Sequence, residues 1–96
     1  MKSEEIVEKL KDSKDWEFDD YEGWFVAQYK TMQIDTNDFT VRVYGVNISY
    51  EENSDKFEVF DDGGKIILEF YGDDIKNGSF NKTTYIKCSS FEIYFN

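Results

Sequence analysis

The sequence predicts an α+β domain in which a short N-terminal helix packs on an antiparallel meander sheet of about five strands. Three observations lead to this fold class: helical periodicity in the first residues, strand-like runs from about residue 23 to residue 95, and glycine- or asparagine-containing turns between those runs. With 96 residues the chain has room for one core, so residues 1–96 form a single predicted domain. A small β-barrel capped by the helix is the alternative.

The helix is predicted over residues 3–14, "SEEIVEKLKDSK". Ile6, Val7 and Leu10 form one apolar stripe at helical spacing, which is typical of a helix packed on a sheet. Glu4 and Glu5 stand at the end where the helix dipole favours negative charge.

Two long strands are predicted over residues 23–34 and 39–50, separated by the turn-like "DTND". Apolar residues of the second run change phase around Gly45, because Val43 lies on one alternation and Val46 on the other. A glycine at such a change of phase indicates a β-bulge.

A hairpin is predicted where "KFEVF" (56–60) and "KIILEFY" (65–71) flank "DDGG". Asp-Gly and Gly-Gly pairs readily adopt the positive φ angles of tight turns, so Asp62, Gly63 and Gly64 form the predicted turn.

The last quarter of the chain is predicted as a polar connection and a final strand. The connection covers residues 72–82 and includes an Asn77–Gly78 turn, and the strand covers residues 83–95 with an irregularity near Ser89 and Ser90. No internal repeat is present in the sequence.

Net charge is the main anomaly of the composition. The chain carries 21 acidic and 11 basic residues, a net charge of −10, although 40% of its residues are hydrophobic. Such a charge disfavours direct binding to nucleic acid or to anionic membranes, which carry charge of the same sign. The opening residues lack the apolar segment of a signal peptide, so the expected location is intracellular.

The residue types argue against an enzyme. Histidine is absent, which removes the commonest general base and metal ligand, and the single cysteine, Cys88, fits a core position. "DTNDFT" begins like a calcium loop at Asp35 but lacks the required glycine and glutamate, and "DDGGK" lacks the setting of a phosphate-binding loop. We expect no catalytic residue, no metal site and no cofactor.

Acidic residues concentrate in two stretches. Residues 15–24, "DWEFDDYEGW", hold five acids, four aromatic rings and no base, and residues 51–74 hold nine acids against Lys56 and Lys65. These stretches either keep loops and strand faces soluble or bind a cationic partner. In the second case the predicted contact residues are Asp15, Glu17, Asp19, Asp20, Glu22, Trp24, Glu51, Glu52, Asp55, Asp61, Asp62, Asp73 and Asp74.

In size, acidity, absent histidine and helix-plus-meander pattern, the chain resembles the small acidic anti-CRISPR and antirestriction inhibitors that phages and mobile elements direct against bacterial defence. The resemblance includes no diagnostic motif. It implies a DNA mimic that acts in the cytoplasm of a bacterial host cell and blocks the basic nucleic-acid-binding surface of a nuclease effector, such as a Cas-type nuclease. Two alternatives remain open: an immunity protein that neutralises a basic nuclease toxin, and a non-catalytic phage structural or adaptor protein.

Overall fold

A computed structural model gives the backbone of residues 3–13, 16–19, 24–80 and 83–96, and the side chains of residues 3–10, 28–80 and 83–96. These residues form one helix and an antiparallel sheet, so the α+β prediction is confirmed, with most of the chain in strands. The helix α1 spans Ser3–Ser13. The strands are β1 (Trp16–Asp19), β2 (Trp24–Asp35), β3 (Thr40–Glu51), β4 (Lys56–Asp61), β5 (Ile66–Tyr71), β6 (Ile75–Ser79), β7 (Thr84–Cys88) and β8 (Glu92–Phe95).

The described strands number eight rather than about five, and they do not form one meander. Their order is β5-β4-β3-β2-β8-β7-β6, and β1 also pairs with β2. β2 uses one edge twice: Trp24 to Ala27 pair with β1, and Met32 to Asp35 pair with β8. Two meanders, β2–β5 and β6–β8, therefore join along β2, and the sheet is an open half-barrel, which agrees in part with the barrel alternative.

The core lies on the inner face of this half-barrel, beneath α1. Ile6 and Leu10 of the predicted helical stripe are fully buried, together with Met32, Ile48 and Phe57 from the sheet. Burial of these side chains supplies the main driving force for folding.

The Asp62–Gly63–Gly64 hairpin is confirmed, although only one glycine needs a positive φ. Gly64 has φ +85° and donates its N–H to the carbonyl of Asp61 (3.0 Å). Gly63 has no positive φ, so the expectation that both glycines adopt one is wrong.

The change of phase at Gly45 is present in a form the sequence does not predict. Gly45 has φ +70°, and the buried positions switch between Val43 and Val46. The register between β2 and β3 is nevertheless the same on both sides, because β2 changes phase at the opposite position. There the N–H groups of Lys30 and Thr31 both donate to the carbonyl of Asn96, the pattern of a bulge towards β8.

Three predictions of the remaining elements are wrong. The predicted strand 83–95 is two strands, because Ser89 and Ser90 form a two-residue turn in which the N–H of Cys88 donates to the carbonyl of Phe91. Asn77 and Gly78 lie within β6 instead of a turn, since both pair with β7. The sheet also begins before residue 23, because β1 pairs with β2.

Candidate partner-binding face

Strand register brings parts of the two acidic stretches onto one face of the sheet. Directly opposed residues of an antiparallel sheet share a face, and the pairing from β1 to β5 defines two such rows. One row is Asp19, Trp24, Glu51, Lys56 and Tyr71, and the other is Glu17, Val26, Ser49, Glu58 and Glu69. We call these ten positions the outer acidic face.

This face points away from the core. Glu51 and Glu69 are exposed and Tyr71 is 50% exposed, whereas Phe57 and Phe70, one position along the same strands, are buried. Successive side chains of a strand point to opposite sides, so the described side chains of the outer acidic face, on β3, β4 and β5, lie on the solvent side.

Strand alternation separates the acidic from the aromatic positions of β1, the part of "DWEFDDYEGW" from Trp16 to Asp19. The positions of Trp16 and Phe18 belong to inner rows, because register aligns them with Ile48 and Tyr50 through β2. The positions of Glu17 and Asp19 belong to the outer acidic face. The aromatic and the acidic positions of β1 therefore belong to opposite faces of the sheet by register.

Lys56 lies between two of the carboxylates and does not neutralise the face. Its Nζ is 3.4 Å from Glu58 Oε1 and 3.4 Å from Glu69 Oε2. Desolvation lowers the pKa of Lys56, but the hydrogen bonds to Glu58 and Glu69 outweigh that effect and raise the pKa. Among the described side chains of the face, three acids, counting Glu51, oppose this one base.

Glu52 and Asp55 belong to the turn between β3 and β4, where they have different surroundings. Glu52 is exposed. Asp55 has φ 53°, accepts a hydrogen bond from Tyr50 Oη at its Oδ1 (2.8 Å), and accepts another from the N–H of Gly72 at its carbonyl (2.9 Å). Asp55 therefore has local partners that fix this corner of the fold.

The same corner includes the start of α1 and the end of β5. A Cβ atom at Gly72 would overlap Ser3 Oγ and the carboxylate of Asp55, so a residue without a side chain is required there. Burial of Tyr50 and its hydrogen bond to Asp55 raise the pKa of the Tyr50 phenol to about 12.

Asp73 and Asp74 form a 3-10 turn, Gly72–Asp74, at this end of the sheet. Asp73 is exposed, whereas Asp74 Oδ1 accepts a hydrogen bond from Ser89 Oγ (2.5 Å). Because Gly72 is bonded to Asp55, this pair of aspartates adjoins the end of the outer acidic face that carries Glu51.

Asp61 and Asp62 lie at the other end of β4. The six residues of β4 run from Lys56 to Asp61, a length of about 17 Å along the strand. Asp61 Oδ1 accepts hydrogen bonds from the N–H groups of Gly63 (3.0 Å) and Lys65 (2.9 Å), so Asp61 stabilises the hairpin. The structure does not bring these two aspartates together with Glu51 and Glu52.

The remaining predicted contact residues, Asp15, Asp20 and Glu22, lie outside the described residues. Glu58 and Glu69 are members of the face that the sequence prediction omitted. Their alternation with buried Phe57, Val59 and Phe70 is a sequence signal that could have identified them.

The outer surface of the other half of the sheet has balanced charge. Arg42 lies opposite Gln33, and its Nη2 donates a hydrogen bond to Gln33 Oε1 (2.8 Å). Lys87 lies opposite Glu92, with 4.0 Å between Lys87 Nζ and Glu92 Oε1. Asp35 is the second acid of this region, and its Oδ1 accepts a hydrogen bond from Thr40 Oγ1 (2.9 Å). Excess negative charge of the described outer surface thus lies on the β3–β5 half.

Two features of the described residues bear on possible chemistry. They contain no group of three or more histidine, cysteine, aspartate or glutamate side chains that could hold a metal ion. Burial, with a smaller contribution from the charge of Asp74, raises the pKa of the Cys88 thiol to about 12, which leaves it protonated at neutral pH.

Comparisons with known proteins return no relatives: no family model matches the chain, and neither a curated protein nor a solved structure does. Within the described residues, α1 has 11 residues and no helix has the length and apolarity needed to cross a membrane.

Proposed function

We propose that the protein is an acidic inhibitor that binds the basic nucleic-acid-binding surface of a nuclease effector and excludes the nucleic acid from it. The observation that carries this proposal is the outer acidic face, on which register aligns acids from both acidic stretches of the sequence. Isolated loop acids at unrelated positions would serve solubility alone, whereas an aligned face can meet a row of cations.

The number of charges on the face, compared with duplex DNA of the same length, indicates how closely the face can imitate DNA. Five strands are about 19 Å wide at about 4.8 Å between neighbours. Duplex DNA carries about eleven charges over that length, at one per about 1.7 Å. The face holds five acids, namely Glu17, Asp19, Glu51, Glu58 and Glu69, against Lys56, a net charge of −4.

Charge alone therefore matches only about a third of the duplex density. Contacts of another kind must supply part of the affinity and the selectivity. Tyr71 at one end of a row is 50% exposed, and Trp24 occupies a position in the same row. Tyrosine and tryptophan are the residue types that most often dominate interface energies.

The test compares two triple variants with the same change of charge. In the face variant, Glu51→Gln, Glu58→Gln and Glu69→Gln neutralise the outer acidic face. In the control, Glu4→Gln, Glu5→Gln and Asp38→Asn neutralise three exposed acids on the helix and on the β2–β3 turn. Each protein is immobilised and incubated with a bacterial host lysate, and the retained proteins are identified and quantified by mass spectrometry.

We expect the wild type and the control to retain a nucleic-acid-binding nuclease that the face variant loses. Equal retention by all three proteins would contradict a role for the face. Retention of a non-nuclease partner alone would contradict the proposed target class and favour an adaptor.

A further inference from the structure

β5 stands at one end of the strand order of the described sheet. Among the described residues it pairs with β4 alone, and its sequence "IILEFY" has high strand propensity and a single charge, Glu69. An edge strand presents unpaired N–H and C=O groups to any extended segment that approaches it.

Hydrogen bonds at both ends of the β4–β5 pair indicate which β5 residues present those groups. At one end the N–H of Gly72 donates to Asp55, and at the other the N–H of Asp61 donates to the carbonyl of Lys65. Bonded and non-bonded pairs alternate along an antiparallel ladder. Counting from Gly72, Phe70 and Leu68 face β4, so Glu69 and Tyr71 face outward.

Counting from Lys65 gives a consistent result. Ile66 faces outward, and the register shift between Val59 and Phe60 accommodates one additional β5 residue before Leu68. The side chains of the three outward-facing residues are also exposed: Ile66 is 49% and Tyr71 is 50% exposed, and Glu69 is exposed. Within the part of the chain that the structure describes, these residues therefore combine outward-facing backbone groups with exposed side chains.

The two ends of the sheet differ in protection. At β6, the other end of the strand order, a register shift interrupts the pairing between Ile75 and Asn77, and exposed Lys76 lies within that shift. Bulges and lysines are the devices that keep edge strands from pairing. The register shift of β5 is confined to the segment between Ile66 and Leu68, so the stretch from Leu68 to Tyr71 has neither a shift nor a lysine.

Charge selects the occupant of this edge. An added strand would place one residue directly opposite Glu69 on the solvent side. On its other side, Glu69 is the cross-strand neighbour of Glu58, and these two carboxylates share Lys56. A cation is favoured there, and a like charge is unfavourable. A second copy would bring its own Glu69 and a net charge of −10 to this edge.

We propose that the β5 edge binds an extended, basic segment of the partner as an added strand, with a lysine or arginine opposite Glu69. Main-chain hydrogen bonds to Glu69 and Tyr71 supply affinity, and the cation and the exposed ring of Tyr71 supply selectivity. This proposal rests on the proposed function and specifies how the basic partner is engaged.

The test uses three capped peptides of six residues, the length of β5. The first alternates lysine and valine. The second has the same side chains but carries N-methyl groups on alternate residues, so one edge of its backbone cannot donate hydrogen bonds. The third has glutamate in place of lysine. Binding and amide hydrogen exchange of the full chain are followed by NMR.

In the free protein the amides of Glu69 and Tyr71 should exchange much faster than those of Leu68 and Phe70. The lysine peptide should protect both amides. The N-methylated peptide should bind at least about tenfold more weakly, because at least one main-chain hydrogen bond is lost, and the glutamate peptide should not bind.

Two variants separate charge from backbone. Glu69→Gln removes the charge only, and Glu69→Pro also removes the outward N–H without removing a β4–β5 hydrogen bond. We expect a several-fold loss of peptide affinity for Glu69→Gln and complete loss for Glu69→Pro, with circular dichroism verifying that both are folded.

Several results would overturn the added-strand proposal: equal affinity for the lysine peptide and its N-methylated form, no protection of Glu69 and Tyr71, or dimerisation through β5 in sedimentation experiments. If the chain still excludes nucleic acid from a nuclease in that case, the proposed function stands and only the added strand is wrong. Peptide binding without any effect on a nuclease would instead contradict the proposed function and support the added strand.

Discussion

The two adjacent glycines of the β4–β5 hairpin should respond oppositely to alanine. At Gly64 the φ of +85° forces alanine into the left-handed region, which costs roughly 1–2 kcal/mol, although no atom lies within 4 Å of the added Cβ. Gly63 has no positive φ, and its added Cβ would lie 3.4 Å from Asp61 Oδ1, an ordinary contact. Alanine at such a compatible position stabilises by about 0.4–1 kcal/mol through the unfolded state.

The expected difference between Gly63→Ala and Gly64→Ala is therefore about 2 kcal/mol. For a domain of this size, 1 kcal/mol shifts the melting temperature by about 4–8 °C, so the two variants should melt about 8–16 °C apart. Urea denaturation with a constant m-value and differential scanning calorimetry measure this difference. Equal melting temperatures, or a greater loss for Gly63→Ala, would refute the assigned turn geometry.

Three further predictions concern titration, reactivity and catalysis. The pKa of Tyr50 is about 12 in the folded chain, against an ordinary value of 10.0. Because the folded state keeps the phenol proton to higher pH than the unfolded state, the free energy of unfolding should fall as pH rises from about 10 to about 12. Tyr50→Phe should flatten that part of the pH–stability curve, measured by urea denaturation. Cys88 should react with a thiol reagent at pH 8 only at the rate of unfolding, since it is buried and its pKa is about 12, and rapid labelling of folded protein would contradict its burial. The purified protein should hydrolyse neither nucleic acids nor common ester and glycoside substrates, and metal-dependent turnover abolished by one carboxylate substitution would refute this.

The elements that could be predicted from the sequence are those determined by residues close together in the chain. The helix stripe of Ile6, Val7 and Leu10 and the hairpin at Gly64 are both readable from residues close in sequence. The ends of β2 and β3 lie within one residue of their predicted positions for the same reason. In each case periodicity or a turn residue acts over a few positions, without help from distant strands.

Tertiary pairing determines the elements that sequence reasoning missed. Asn77–Gly78 is a favourable turn pair, but pairing with β7 keeps it extended. The apolar alternation changes phase at Ser89–Ser90 because the chain reverses there. Without a glycine to indicate a turn, that change resembled an irregularity within one strand. β1 was missed because it is only four residues long and rich in acids. Its pairing with β2 is the tertiary contact that makes it a strand.

The sequence predicted that the candidate site is rich in acidic residues, but it did not predict how those residues are arranged on the sheet. Sequence shows that acids cluster, but register decides that Glu17 aligns with Glu58 and Glu69, and Asp19 with Glu51. Asp61 and Asp62 instead lie at the far end of β4. A shift of one residue would have reversed every face. Burial of the alternating core residues in β3 and β4 fixes that register, and those long-range contacts are absent from local sequence.

Direct competition on the partner tests whether the outer acidic face replaces nucleic acid. A nuclease retained by the wild-type protein is loaded with its labelled nucleic acid, and the protein is titrated at about 0.1 M and at about 1 M salt, where the Debye length falls from about 10 Å to about 3 Å. We predict mutually exclusive binding that weakens at high salt and that Glu51→Gln, Glu58→Gln and Glu69→Gln together abolish. Simultaneous binding of protein and nucleic acid with undiminished affinity would contradict the proposed function.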